Sequence, residues 1–177
     1  MEDYGFERIK ICEKIKLDGV PVLNISVSFS EYPFFRELAG NAAEWAKNIL
    51  YPSICDEYMK CSDPRKRFSF GYNYSFECKA CYRSGDMISV KIKAALKKRA
   101  ERHEIASNNY GLVIRESDGI ILPIEAIADR KTVKEYRKIG AESFCMDGNM
   151  LTFLSNNGEK IQIAEVREIL ASNVNIF

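Results

Sequence analysis

Apolar and polar residues alternate along several stretches of this chain, and the longest alternation is FSFGYNYSFECKACYR, residues 68–83. Its even positions are Phe68, Phe70, Tyr72, Tyr74, Phe76, Cys78, Ala80 and Tyr82. Its odd positions are Ser69, Gly71, Asn73, Ser75, Glu77, Lys79, Cys81 and Arg83. Side chains of period two leave opposite faces of an extended backbone, so this pattern predicts a long strand with one aromatic, apolar face. After Ser84-Gly85-Asp86 the period continues through Ile88, Val90, Ile92, Ala94 and Leu96, with Ser89, Lys91 and Lys93 between them, which predicts an antiparallel hairpin.

Upstream, Ile9, Ile11, Ile15 and Leu17 share one face of a half-buried strand, and Asp18-Gly19 is a strong hairpin signal. The return strand carries Leu23, Ile25, Val27 and Phe29 in phase. Pro21 has no amide donor, so this strand is expected to begin at a sheet edge. Residues 34–50 switch to helical spacing, with Phe35, Leu38, Ala42, Trp45, Ala46 and Ile49 as one stripe and Pro52 just past the end. Residues 55–67 read as an irregular polar connection. LKKRAERHEIASNN, residues 96–109, is ambiguous between loop, short helix and frayed strand.

A second hairpin is predicted from Gly111–Arg115 and Ile120–Ile124, turning at Ser117-Asp118-Gly119, and Glu125 to Ile139 reads as one helix or two short ones. ESFCM and MLTFL flank a turn at Asp147-Gly148-Asn149. A further turn at 156–158, a strand EKIQIA and a short helix from Ala164 to Ala171 complete the reading. The fold class is α+β: an antiparallel sheet of several hairpins packed against one long helix, with short C-terminal helices. A chain of 177 residues with no linker-like segment is expected to form a single domain over 1–177.

Charge changes this picture little. Lys and Arg total 26 against 25 Asp and Glu, so no global field steers the chain toward nucleic acid or an anionic membrane. No apolar run approaches the ~20 residues of a spanning helix, and MEDYGFERIKICEKIK has no signal-peptide core. On that ground the chain is expected to be cytoplasmic.

Candidate chemistry is sparse. Cys78 and Cys81 form a C-x-x-C, but an odd separation within a strand sends their side chains to opposite faces, so neither a zinc site nor a disulfide closes without a bulge. Cys78 is therefore expected in the core and Cys81 on the outer face beside Lys79 and Arg83, as the thiol to test for reactivity. Cys55 with Cys61 offers at most a loop half-site, and with no export signal the six cysteines are expected to be thiols. His103 is the single histidine and lies in a charged, solvated segment; no G-x-S-x-G, P-loop or dinucleotide fingerprint accompanies it. Glu116 and Asp118 sit at a predicted turn, where Asp has a conformational reason to be. No catalytic residue, metal ligand or cofactor is assigned. Lys91, Lys93, Lys97, Lys98, Arg99 and Arg102 make a local basic patch with Tyr82 and Tyr110 nearby, diluted by Glu101 and Glu104, and a solvated face is the better reading than a nucleic-acid site.

The order of elements resembles the extracytoplasmic domain of the lysozyme-sensing anti-sigma factors. That domain is also carried by uncharacterised Gram-positive proteins and found beside some peptidoglycan deacetylases. The matching stretches are ISVSFSEYP, the helix at 34–50, YNYSFECKACYRSGDMISVKIKA and YGLVIRESDGIILPIEAI, with SFCMDGNMLTFLSNNGEKIQI in the place of the late strand pair. The likeness spans roughly residues 20–170. ALKKRAERHEIASNN stands where that family carries a His- and Gly-rich loop, and the Pro- and Tyr-rich late segment is missing, so no functional residue carries over.

The resemblance implies a non-enzymatic binding or sensing module and an extracytoplasmic setting. The function expected from the whole is therefore binding of a protein or small ligand, on a concave sheet surface or in a groove between the long helix and the sheet. The alternatives are a hydrolase of cell-wall or glycan material using a carboxylate pair, and a single-stranded nucleic-acid binder using Lys91 to Arg102.

Overall fold

The structure, a computed structural model, describes residues 4–147 and 150–154. Among them, strands β1 (Arg8–Leu17), β2 (Val20–Ser30), β3 (Tyr72–Ser84), β4 (Met87–Lys98) and β5 (Glu104–Arg115) form one sheet in chain order. Helices α1 (Pro33–Trp45) and α2 (Tyr51–Lys60), joined through a π turn at Ala46–Leu50, make a continuous helix of 28 residues; α3 (Pro64–Ser69) follows it. Downstream lie a 3₁₀ turn at Ile124–Ala126, α4 (Arg130–Lys138), and the two-stranded sheet of β6 (Ser143–Asp147) and β7 (Met150–Leu154). The α+β class follows directly. The late turn at 156–158, the strand EKIQIA and the helix Ala164 to Ala171 lie outside the described residues.

Four pairings are antiparallel, but β2 and β3 run parallel, from Leu23 opposite Tyr72 to Phe29 opposite Cys78. A parallel pair needs a long crossover, and the helices between them provide it. The β1–β2 turn places Asp18 and Gly19 at φ 50° and 78°, the left-handed pair that matches hairpin twist. Pro21 does not mark an edge, because β2 lies inside the sheet. It is tolerated because pairing with β3 begins only at Leu23 and because the β1 register slips between Ile15 and Lys16, opposite Leu23 and Pro21.

The inner sheet face is the predicted one: Leu23, Ile25, Val27 and Phe29, then Tyr74, Phe76 and Cys78, then Ile88, Val90 and Ile92, all buried. Phe35, Leu38, Ala42 and Ala46 descend onto it from the helix. Ile49, expected in that stripe, is 60 % exposed. The π turn inserts one residue, so the buried face resumes at Ile54 and Tyr58 instead of at the positions that 3.6-residue spacing from Ala46 would choose. The same turn explains why Pro52 does not end the helix. Proline lacks a donor and crowds the carbonyl four residues back, and the π turn, closed by Tyr51 N–H donating to the Ala46 carbonyl, widens the backbone just before it.

The strand expected at 68–83 begins four residues late. Asp63 caps α3 by accepting from the Arg65 amide, and Pro64 at the first turn seeds a helix that runs to Ser69. Phe68 is consequently 83 % exposed. Residues 104–109, ambiguous by pattern, belong to β5. Ile120–Ile124 is not a strand: a single bridge joins Ile114 and Ile121 before the chain enters the 3₁₀ turn. Across 125–139 the chain takes the second of the two forms its pattern allows, two short helices.

The second sheet lies on the outer face of β4 and β5, around a smaller core of Val113, Ile124, Val133 and Phe144. Ser143 Oγ accepts from the Gly111 amide at 2.9 Å, and the Met146 amide donates to Ser89 Oγ at 2.6 Å. This docking requires glycine at 111: a Cβ there would sit 2.4 Å from the Phe144 carbonyl oxygen.

Gly111→Ala is expected to lower unfolding free energy by about 1–3 kcal/mol through overpacking. Gly40→Ala, on α1 with nothing within 4 Å of the new Cβ among the described residues, is expected to raise it by about 0.5–1 kcal/mol. Urea denaturation of both variants checks the pair; a neutral Gly111→Ala would mean that the second sheet is not seated as described.

Candidate functional site

The helix lies over β2 and β3, and α1 makes its main sheet contacts with those two strands. The inner face of β1 therefore has no lid among the described residues. Among the described residues this leaves a cleft of about 170 Å³ between α1 and the first two strands. Its floor is Ile25, Val27 and Phe29, and its open side is Ile11, 56 % exposed between the half-buried Ile9 and Ile15. Ala39, Gly40 and Ala43 form the helix wall. Their short side chains create the space, since larger residues there would close α1 onto Ile11.

Two charged groups rim the cleft, and each has its counter-charge. Arg36 is bound by Glu31. Glu13 meets Lys47 at 2.8 Å, and that hydrogen bond raises the Lys47 ammonium above its ordinary range, with burial opposing it. An apolar trough whose rim charges are already matched can bind apolar groups; it presents no acid–base pair.

β1 is also the terminal strand of the sheet, and no described residue pairs with its outer edge. Its outward backbone amides and carbonyls thus lie beside the cleft.

The basic patch of the sequence is dispersed by the fold. Lys91 and Lys93 stand exposed on the outer face of β4, where Lys93 pairs with Glu104 at 3.2 Å. Lys97 lies opposite Asn73. Lys98 is near the Tyr72 ring, 5.9 Å from its centroid, with Glu57 at 3.9 Å. Arg99 is a structural clamp, donating to the carbonyls of Phe70 at 2.7 Å, Phe68 at 2.9 Å and Pro21 at 3.4 Å. Arg102 and His103 are exposed in the turn before β5. Tyr110 packs on the main core and Tyr82 against Tyr4, so neither stands beside these cations as a stacking platform.

The carboxylates at 116 and 118 tie turns together. Glu116 takes a forked contact from Arg83, 3.0 Å at Nε; Asp118 accepts from Arg115 Nε at 3.0–3.1 Å, which holds its carboxyl below the usual range. Tyr32 donates to the Glu116 carbonyl, and its phenol is raised first by burial and then by the charges of Glu116, Asp86 and Asp118.

None of the six cysteines is disulfide-bonded. Cys78 is fully buried, and burial pushes its thiol far above the ordinary range, which removes it as a nucleophile. Cys81 occupies a bulge, the register slipping between Ala80 and Tyr82. It does face outward, but not into solvent beside Lys79 and Arg83. The second sheet covers that side, and Cys81 Sγ lies 3.2 Å from the Met146 carbonyl and 3.3 Å from Ser89 Oγ. Cys55 is within α2 and Cys61 caps its end, so the two do not form a loop pair. Among the described residues no three His, Cys, Asp or Glu side chains converge as a metal site would need, and no helix is long and apolar enough to cross a membrane.

Sequence reasoning anticipated a groove between the helix and the sheet but named none of its residues. The readable signal was Ala39-Gly40 with Ala43, a run of small residues beside the helix stripe.

No family model matches the chain, and no curated protein matches it. Solved structures similar to it include a DUF3298 family protein from Pseudomonas aeruginosa PAO1 and a member of the same family from Bacteroides fragilis NCTC 9343. The first has 6 % identity and a TM-score of 0.40, covering 77 % of this chain and 65 % of that one. The second has 11 % identity and a TM-score of 0.42, covering 86 % of this chain and 84 % of that one. Likeness at this level assigns no activity.

Alkylation of the native chain without reductant should modify Cys12 first, Cys55 and Cys61 next, and Cys81 more slowly, with Cys78 and Cys145 protected until unfolding. Peptide mapping by mass spectrometry over time reads this order. Modification of Cys81 ahead of Cys12 would contradict the seating of the second sheet.

Proposed function

We propose that this protein is a non-enzymatic binding module whose ligand is an extended polypeptide segment, added to the outer edge of β1 with apolar side chains in the adjoining cleft. The observation that carries this reading is the cleft's size together with its place. At about 170 Å³ it falls below the ~300–1,000 Å³ typical of small-molecule sites, yet it adjoins a strand edge whose outward backbone donors and acceptors no described residue pairs. Strand addition uses that combination: the ladder gives affinity, and pockets for alternate side chains give selectivity. The resemblance to the sensor domain of the lysozyme-sensing anti-sigma factors, whose ligand is a protein, supports the same reading.

Hydrolysis finds less support, because Glu13, the carboxylate of the cleft, is held by Lys47. The nucleic-acid reading loses its stacking partners once Tyr82 and Tyr110 are packed away.

Gly40→Phe tests the reading, because a side chain at 40 enters open space and fills the cleft from its helix wall. Displayed random peptides of ten residues, the length of β1, would be selected on the unmodified chain and then measured on the variant. The expected result is enrichment of extended sequences that lose at least about tenfold in affinity on Gly40→Phe, at an unchanged or higher melting temperature. Enriched peptides that bind the folded variant equally well, or no enrichment, would reject the reading.

A further inference from the structure

We infer that the segment accepted by β1 alternates apolar and acidic residues, an inference that rests on the strand-addition reading above. Alternation along β1 divides its side chains by charge. The inner face carries Ile9, Ile11 and Ile15 beside the cleft, together with Glu13, which Lys47 neutralises. The outer face carries Arg8, Lys10, Lys14 and Lys16, whose cross-strand neighbours on β2 are Ser30, Ser28, Asn24 and Pro21. Lys10, Lys14 and Lys16 are exposed and form no ion pair with any described residue.

The same sign continues inward. Lys79, Lys91 and Lys97 share this face of β3 and β4 with Lys93, which Glu104 of β5 pairs, and the one carboxylate that alternation puts on the face of β1–β4 is Glu77, already bound by Arg8. The chain as a whole carries a formal charge of only +1, so the cationic excess is local to the face that β1 borders.

An added strand places its side chains directly opposite those of β1. Residues facing Ile9, Ile11 and Ile15 enter or flank the cleft and must be apolar. Residues facing Lys10, Lys14 and Lys16 gain from being acidic, because opposite charges directly across a pair stabilise it and like charges destabilise it. The same rule argues against a second copy as occupant. Two β1 edges paired with each other would bring their lysines together on one face, a repulsive element that leaves the edge open for a partner of the other sign. A polyanion without apolar side chains would use the lysines and leave the cleft empty.

The test uses three synthetic ten-residue peptides with the same apolar positions and Glu, Ser or Lys at the alternate ones, titrated against the full chain by fluorescence anisotropy at low and high salt. The Glu peptide is expected to bind about tenfold or more tighter than the Ser peptide, with the Lys peptide weakest and the spread narrowing in high salt. The triple variant Lys10→Glu, Lys14→Glu, Lys16→Glu, all at exposed positions, should retain the circular dichroism of the parent and reverse the order. Equal affinity of all three peptides would overturn the charge inference while leaving strand addition standing. Equal binding of the Glu peptide to Gly40→Phe, or equal binding of a phosphodiester oligomer, would overturn it as plain charge attraction. Concentration-dependent dimers in sedimentation that the triple variant abolishes would identify a second copy as the occupant and overturn it as well. Failure of all three peptides to bind would remove the strand reading itself.

Discussion

The helix over residues 33–60 buries its apolar face on β2 and β3, and the other features of the fold follow from where that contact falls. It obliges β3 to return parallel to β2, since the crossover carries the chain back to the starting end of the sheet. It sets the inner face as the main core, with Trp45 against Tyr74 at 5.9 Å and Phe35 fully buried. It also stops short of β1. A helix is about 10 Å across with its side chains, roughly two strand spacings, so one helix covers two strands and leaves a third at its margin. The cleft is that margin, held open by Ala39, Gly40 and Ala43.

The opposite sheet face is divided differently. Around Cys81, Ser89 and Gly111 it is covered by the second sheet, where Gly111 permits backbone contact and Ser89 and Ser143 satisfy the amides brought near them. Elsewhere on that face no described residue covers the strands, and the surface is polar, floored by serines and asparagines and bordered by lysines. Asn24 Nδ2 donates to Asn73 Oδ1 at 2.8 Å across the parallel pair, so this floor is itself hydrogen-bonded. The first half of the chain thus builds an apolar cleft on one side of β1 and a cationic surface on the other, and the second half packs a second sheet on the outer face of β4 and β5.

Much of the architecture was legible because period two and period 3.6 differ plainly in this sequence. The β1–β2 and β3–β4 hairpins, the inner faces of β2 and β3, the late strand pair and the helix stripe through Ala46 could all be read from spacing. Three of the misreadings share one cause: a local device that shifts phase without shifting composition. The π turn before Pro52 moves the buried face from Ile49 to Ile54, the Asp63-Pro64 cap turns the first residues of an alternating run into helix, and the bulge at Cys81 changes what that thiol faces. Parallel pairing of β2 with β3 was invisible because strands read alike in either direction. The cleft was hidden for a related reason. It is made by the smallness of three helix residues and by the absence of cover over Ile11 from any described residue, and neither carries a motif.

β1 thus presents an edge, beside a cleft, that no described residue covers. Native-state hydrogen exchange tests it residue by residue. In an antiparallel edge strand alternate amides bond to the partner and the others face outward. The account predicts that the β1 amides bonded to β2 exchange slowly while the intervening ones exchange near the rate of exposed backbone. Uniform slow exchange along Arg8–Leu17 would show that the edge is already covered and would contradict it.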